Sequence, residues 1–124
     1  MNDSVASRKF DLHDRTLRFA QEIRKFVRSL PRTVSNLEDI SQLVRSSGSI
    51  GANYIEASES LGKKDFLMRM KISRKEAKES VYWLNLIDIG IDPTLKAFHS
   101  KLIQESTELM KIFGAIVSKS FLKA

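Results

Sequence analysis

The side chains best suited to chemistry in this chain are lysines. Lys64, Lys71, Lys75 and Lys78 recur in steps of seven, four and three, a spacing that puts them on one face of a helix. Lys63, Arg69 and Arg74 stand beside that face, and Arg15, Arg18, Lys25 and Arg28 load an earlier segment. A row of such cations grips phosphates without reading bases. Glu76 and Glu79 fall in the same segment, so a solvated face of mixed charge is the competing reading. A second constellation sets Arg45 and Glu56 against Arg74, Glu76 and Glu79. These charges flank small residues where two helices can approach closely, and an unpaired charge there is costly. The spacing predicts a structural polar network in which Arg45 or Arg74 pairs with Glu56, Glu76 or Glu79. The alternative is a solvated face with local pairs only.

Other chemistry is thin. The chain has no cysteine, which excludes disulfides and thiolate metal sites. His13 and His99 are its histidines, and neither follows a Glu at the Glu-x-x-His spacing of a di-iron bundle. His99, beside Phe98 and near Lys96 and Lys101, reads as a surface or interface residue. No metal and no cofactor are expected. Gly48-Ser49-Ile50-Gly51 is not followed by the Gly-Lys-Ser/Thr of a phosphate loop, and no Gly-x-Ser-x-Gly occurs. The expectation is a protein that is not an enzyme, with no catalytic residues.

The elements that must carry these residues are helices. A chain of 124 residues makes one domain. With Gly 5 and Pro 2 it has too few turn residues for a sandwich or barrel. Steps of three and four predict helices over about 12–30, 36–58, 63–89 and 93–121, after a flexible N-terminus over 1–9. The fold class is all-α, an up-down-up-down antiparallel four-helix bundle.

The first stripe is Leu17, Ala20, Ile23, Val27 and Leu30, widened by Phe19 and Phe26, and Pro31 ends it. Ser35 with Glu38 forms a capping box for the second helix. Its stripe from Leu37 through Val44, Ile50 and Tyr54 to Ala57 runs unbroken through Gly48 and Gly51. Each mid-helix Gly costs about 1 kcal/mol relative to Ala, so something must approach that backbone closely. Ser73, Ala77 and Ser80 sit in the third seam between Met70 and Leu84, and the two small-residue stretches can face each other. Gly90 suits the end of the third helix, with Asp92 and Pro93 at N-cap and N1 of the fourth. Its stripe runs from Leu95 through Leu102 and Ser106 to Phe113 and Val117.

The formal net charge of +6 favours polyanions. No run reaches the roughly 18 apolar residues of a membrane span, and Met1 to Lys9 lacks the apolar core of a signal peptide. A soluble cytoplasmic protein is expected.

Several stretches resemble a known family. They are Leu30-Pro31-Arg32-Thr33, the run from Arg45 to Ala57, Lys63-Lys64-Asp65-Phe66, and the run from Arg74 to Ser80 with Tyr82-Trp83-Leu84. Together they look like the bacterial four-helix bundle family that includes the protein encoded in intervening sequences of 23S ribosomal RNA genes. The similarity covers about residues 10–90 and reaches the fourth helix by pattern. It implies a cyclic homopentamer and no catalytic residues. A distant relative, the accessory protein of diversity-generating retroelements, has a basic surface and binds nucleic acid together with a reverse transcriptase. A ring needs a second apolar face, for which Phe19, Phe26, Tyr54 and Ile55 are candidates.

The combined expectation is a non-enzymatic homo-oligomeric bundle that binds nucleic acid, RNA in particular, through the basic face of Lys64, Lys71, Lys75 and Lys78. The alternative is a structural or adaptor module for a protein partner. Phe66, Tyr82 and Trp83 have helical reasons to be core or interface.

Overall fold

Helix order follows from where the chain is able to turn. The computed structural model describes residues 4–122, with side chains from 12 to 120. It contains α1 (Ser4–Val27), α2 (Val34–Ser58), α3 (Lys63–Leu86) and α4 (Pro93–Leu122). Each helix packs on its neighbour in sequence, and α1 closes on α4. This is the expected all-α four-helix bundle.

α1 begins at Ser4, ahead of the expected start near residue 12. No Gly or Pro interrupts Ser4 to Leu12, so nothing stops the helix from extending backwards. The flexible N-terminus expected over 1–9 is therefore helix from Ser4 to Lys9, and residues 1–3 lie outside the described residues. At its far end, the Ser29 amide bonds Phe26 O at 3.2 Å and the Leu30 amide bonds Val27 O at 3.3 Å, a closing turn before Pro31.

α2 starts on Thr33, not on the Ser35–Glu38 box. Thr33 Oγ1 accepts from the Asn36 amide at 3.2 Å. Asn36 decides the frame, because its side chain is drawn inside. Its Nδ2 donates to Pro31 O at 2.9 Å and to Asp88 O at 2.8 Å. Its Oδ1 accepts from the Asp88 amide at 3.0 Å. Burying an amide requires such partners, and meeting them places the N-cap at Thr33, two residues before Ser35.

α3 ends at Leu86 with Ile87 as C-cap, so Gly90 serves the following turn and does not directly follow the helix. Gly90 has φ +70, the left-handed region that favours glycine. Its amide donates to the Asp88 carboxylate at 3.0 Å. Asp92 then caps α4 through the Thr94 amide at 2.9 Å, with Pro93 as the first helical residue, as expected.

The core stripes of α3 and α4 are those the spacing predicts, with Ala77, Leu84, Leu109 and Phe113 fully buried. α1 is rotated from expectation. Phe19, Ile23 and Phe26 face inward, whereas Leu17 is half exposed. The helix has two apolar edges, and the phenylalanine edge removes more apolar area from water.

Candidate nucleic-acid interface

The orientation of α3 is fixed from both sides by small residues. Ser46 and Ser80 bring their hydroxyls to 2.8 Å across the α2–α3 seam. Ser73 donates to Ile50 O at 2.9 Å. From the other side, Ser106 on α4 donates to Ala77 O at 2.8 Å. These bonds to backbone and to short side chains leave α3 little freedom to roll. The expected facing of the two small-residue stretches is therefore present, but the stretch divides its tasks. Ser46 meets α3, while Gly51 meets α1, where an added Cβ would lie 2.9 Å from Thr16 Oγ1.

Hydroxyls filling this seam leave no place for the expected charge network. Arg45 is exposed and approaches Gln42 at 3.5 Å. Glu76 pairs with its neighbour Lys75 at 3.7 Å. Among the described residues, no ion pair joins Arg45 or Arg74 to Glu56, Glu76 or Glu79. A charged side chain does reach across α2 and α3, but it is Arg69, which donates to Asn53 Oδ1 at 3.1 Å. Glu76 stays buried at 6% exposure, with its Oε1 unpartnered.

The fixed orientation aims a basic face outward. Arg74, Lys75 and Lys78 of α3 and Met110 and Lys111 of α4 line a groove of about 540 Å³. The Arg74 stem runs beside Gly114 of α4, where an added Cβ would be in ordinary contact with Arg74 Cδ at 3.5 Å. Lys75 and Lys78 are thus brought together, with Arg74 drawn from the proposed network. Lys64 and Lys71 are exposed on the same helix towards its N-terminus and do not line the groove. Lys111 was not a sequence candidate, because only the α3–α4 register places it opposite Lys78.

Charge separation around this face is marked. From Lys71 to Leu86 the exposed residues are Lys71, Arg74, Lys75, Lys78, Tyr82, Asn85 and Leu86, with no acid among them. Glu76 is buried and Glu79 is half-buried. The face is therefore not the evenly mixed surface that the sequence order allows. Tyr82, expected in core or interface, is 59% exposed.

Two further clefts flank α1. The α1–α4 cleft, about 690 Å³, has Phe19, Phe98 and Leu102 in its lining. Arg15 spans its rim to Glu105 in a two-pronged pair, Nε to Oε2 at 3.0 Å and Nη2 to Oε1 at 2.7 Å. The α1–α2 groove holds Leu17, Gly48, Gly51, Ala52 and Ile55 in about 370 Å³. Leu17 is 50% and Ile55 48% exposed. Of the residues expected to form a second apolar face, only Ile55 lies there. Phe19, Phe26 and Tyr54 are core, with Tyr54 packed on Phe113 at 6.1 Å between ring centroids.

His99 is half-buried, stacks on Phe26 at 5.9 Å and meets Leu84 O at 2.6 Å through Nε2. A carbonyl only accepts, so Nε2 carries the proton. Among the described residues no cluster of three or more His, Asp or Glu side chains could hold a metal ion. Among them, too, no helix is long and apolar enough to cross a membrane.

A family model described as 23S rRNA-intervening sequence protein matches residues 8–115. The chain belongs to this family. A crystal structure of a protein of unknown function from the S23 ribosomal protein family of Bacteroides thetaiotaomicron has the same fold, with TM-score 0.73 and 30% identity. The match covers 86% of this chain and 97% of that one. No curated protein matches the chain. The family match extends well into α4, beyond the stretches that carry the resemblance in sequence.

Proposed function

We propose that the protein is a non-enzymatic, cytoplasmic nucleic-acid-binding bundle whose α3–α4 groove takes the phosphate backbone, RNA being the preferred partner. The observation that carries this reading is the convergence of Arg74, Lys75, Lys78 and Lys111 on one groove while Glu76 is buried beneath the face. Binding of this kind is set by counterion release. With these cations engaged, the logarithm of affinity should fall with the logarithm of salt with a slope of about −3. Fluorescence anisotropy of labelled RNA over a salt series measures this. The pair Lys75→Glu with Lys78→Glu should cut affinity at least tenfold and flatten the slope while the far-UV circular dichroism stays helical. An unchanged affinity in that variant, or no binding at low salt, would sink the reading.

The bundle is further proposed to act as a homo-oligomer, a pentamer by its resemblance. The exposed Leu17 and Ile55 beside the glycines of the α1–α2 groove support a second copy docking there, because small residues admit a close helix. Light scattering of the wild type and of Ile55→Glu tests it, and a wild-type monomer at micromolar concentration would reject it.

A further inference from the structure

We infer that the basic face is built for single-stranded nucleic acid, with an unpaired base stacked on Tyr82. The inference rests on the groove reading above and specifies which form of nucleic acid the groove takes.

Position comes first. Lys71, Lys75, Lys78 and Tyr82 follow in steps of four, three and four, which at 3.6 residues per turn confines them to an arc of roughly 60°. Tyr82 therefore continues the row of cations by one turn. Tyr82 is 59% exposed, one turn before α3 ends at Leu86. Burial is the ordinary fate of an aromatic on a bundle helix, and Tyr82 escapes it because Ser80 and Leu84 take the core positions on either side.

Preorganisation comes second. The Tyr82 ring meets Trp83 nearly edge-on, with centroids 5.0 Å apart and planes at 79°. A ring held this way loses less freedom when a base settles on it than a free side chain would. Phosphates on the lysines and a base on the neighbouring aromatic are the two components of single-strand recognition. A duplex offers the phosphates but keeps its bases stacked inside, so it has nothing to place on Tyr82.

The acids of α3 within this face do not cancel this arrangement. Glu79 is half-buried, and Glu76 is buried with its Oε2 3.7 Å from Lys75 Nζ. Arg74, Lys78 and Lys111 form no ion pair among the described residues. An apolar protein surface would also accept Tyr82 and the exposed Leu86 one turn on, but it would leave these cations without partners.

The test compares one oligoribonucleotide as a single strand and as a duplex, by anisotropy, against the wild type, Tyr82→Ala, Tyr82→Phe and Lys75→Glu with Lys78→Glu. Base–aromatic stacking predicts that Tyr82→Ala weakens single-strand binding about tenfold, that Tyr82→Phe retains it, and that duplex affinity moves less than about twofold. Trp83 is the only tryptophan, so its fluorescence should change on adding the single strand, and that change should be lost in Tyr82→Ala. Melting of each variant by circular dichroism checks that the bundle is intact. If the lysine variant loses binding while Tyr82→Ala binds single strand as the wild type does, stacking is overturned and the groove reading stands. If duplex is bound more tightly than single strand, stacking is likewise overturned. If the wild type binds neither form, both readings fall.

Discussion

The α2–α3 seam and the α1–α4 cleft solve the same packing problem with opposite means. Along α2–α3 the helices meet through Ser46, Ser73 and Ser80, with a 2.8 Å bond between the Ser46 and Ser80 hydroxyls and a 2.9 Å bond from Ser73 to Ile50 O. Along α1–α4 the contact is made by Phe19, Phe98 and Leu102, and the gap left above them is spanned by the long side chains of Arg15 and Glu105. Short side chains leave few rotamers, so the first seam specifies how α3 is rotated. Long ones tolerate a range of separations. The basic face belongs to the helix whose rotation is specified most tightly, and this is why its cations and Tyr82 keep a common direction.

The largest expected effect tests the tight seam. Ser80→Leu puts a bulky side chain where exposure is 0% and should destabilise the fold by about 3 kcal/mol through overpacking and lost bonding. Chemical denaturation reads it, and a loss below about 1 kcal/mol would mean that the seam can widen. Ser73→Ala removes one donor without adding volume, and the Ile50 carbonyl it leaves is within a helix. A cost of about 1 kcal/mol is expected by the same measurement, and no cost would show that shape alone sets the seam. The smallest effect belongs to the cleft. A double-mutant cycle on Arg15→Ala and Glu105→Ala should give a coupling of at most about 1 kcal/mol, falling with salt, since both groups remain partly in water. A coupling as large as the seam effect would erase the distinction between the two regions.

What was legible in the sequence tracks this difference. The α3 and α4 stripes were readable because each has a single apolar edge, as with Met70, Ala77 and Leu84. α1 was not, since Leu17 and Phe19 mark competing edges, and only the partner helices choose between them. Thr33 displaced Ser35 as the cap because Asn36 is held by residues far along the chain. For the candidate site, Lys75 and Lys78 were readable from spacing. Lys111 needs the α3–α4 register, and the withdrawal of Glu76 from the surface needs the rotation of α3. The expected charge pairs are absent for a local reason: serine hydroxyls join α2 and α3, Arg45 stays exposed, and the buried Glu76 meets its neighbour Lys75 instead.

Asn36 has a consequence for how the bundle opens. Its side chain ties the α1–α2 joint at Pro31 to the α3–α4 joint at Asp88, which lies 52 residues beyond Asn36. Fraying of the first turn of α2 and unwinding past the end of α3 break the same bonds. Two helix ends that would otherwise breathe independently are thereby made into one cooperative unit, and the end of the bundle holding both joints opens as a whole.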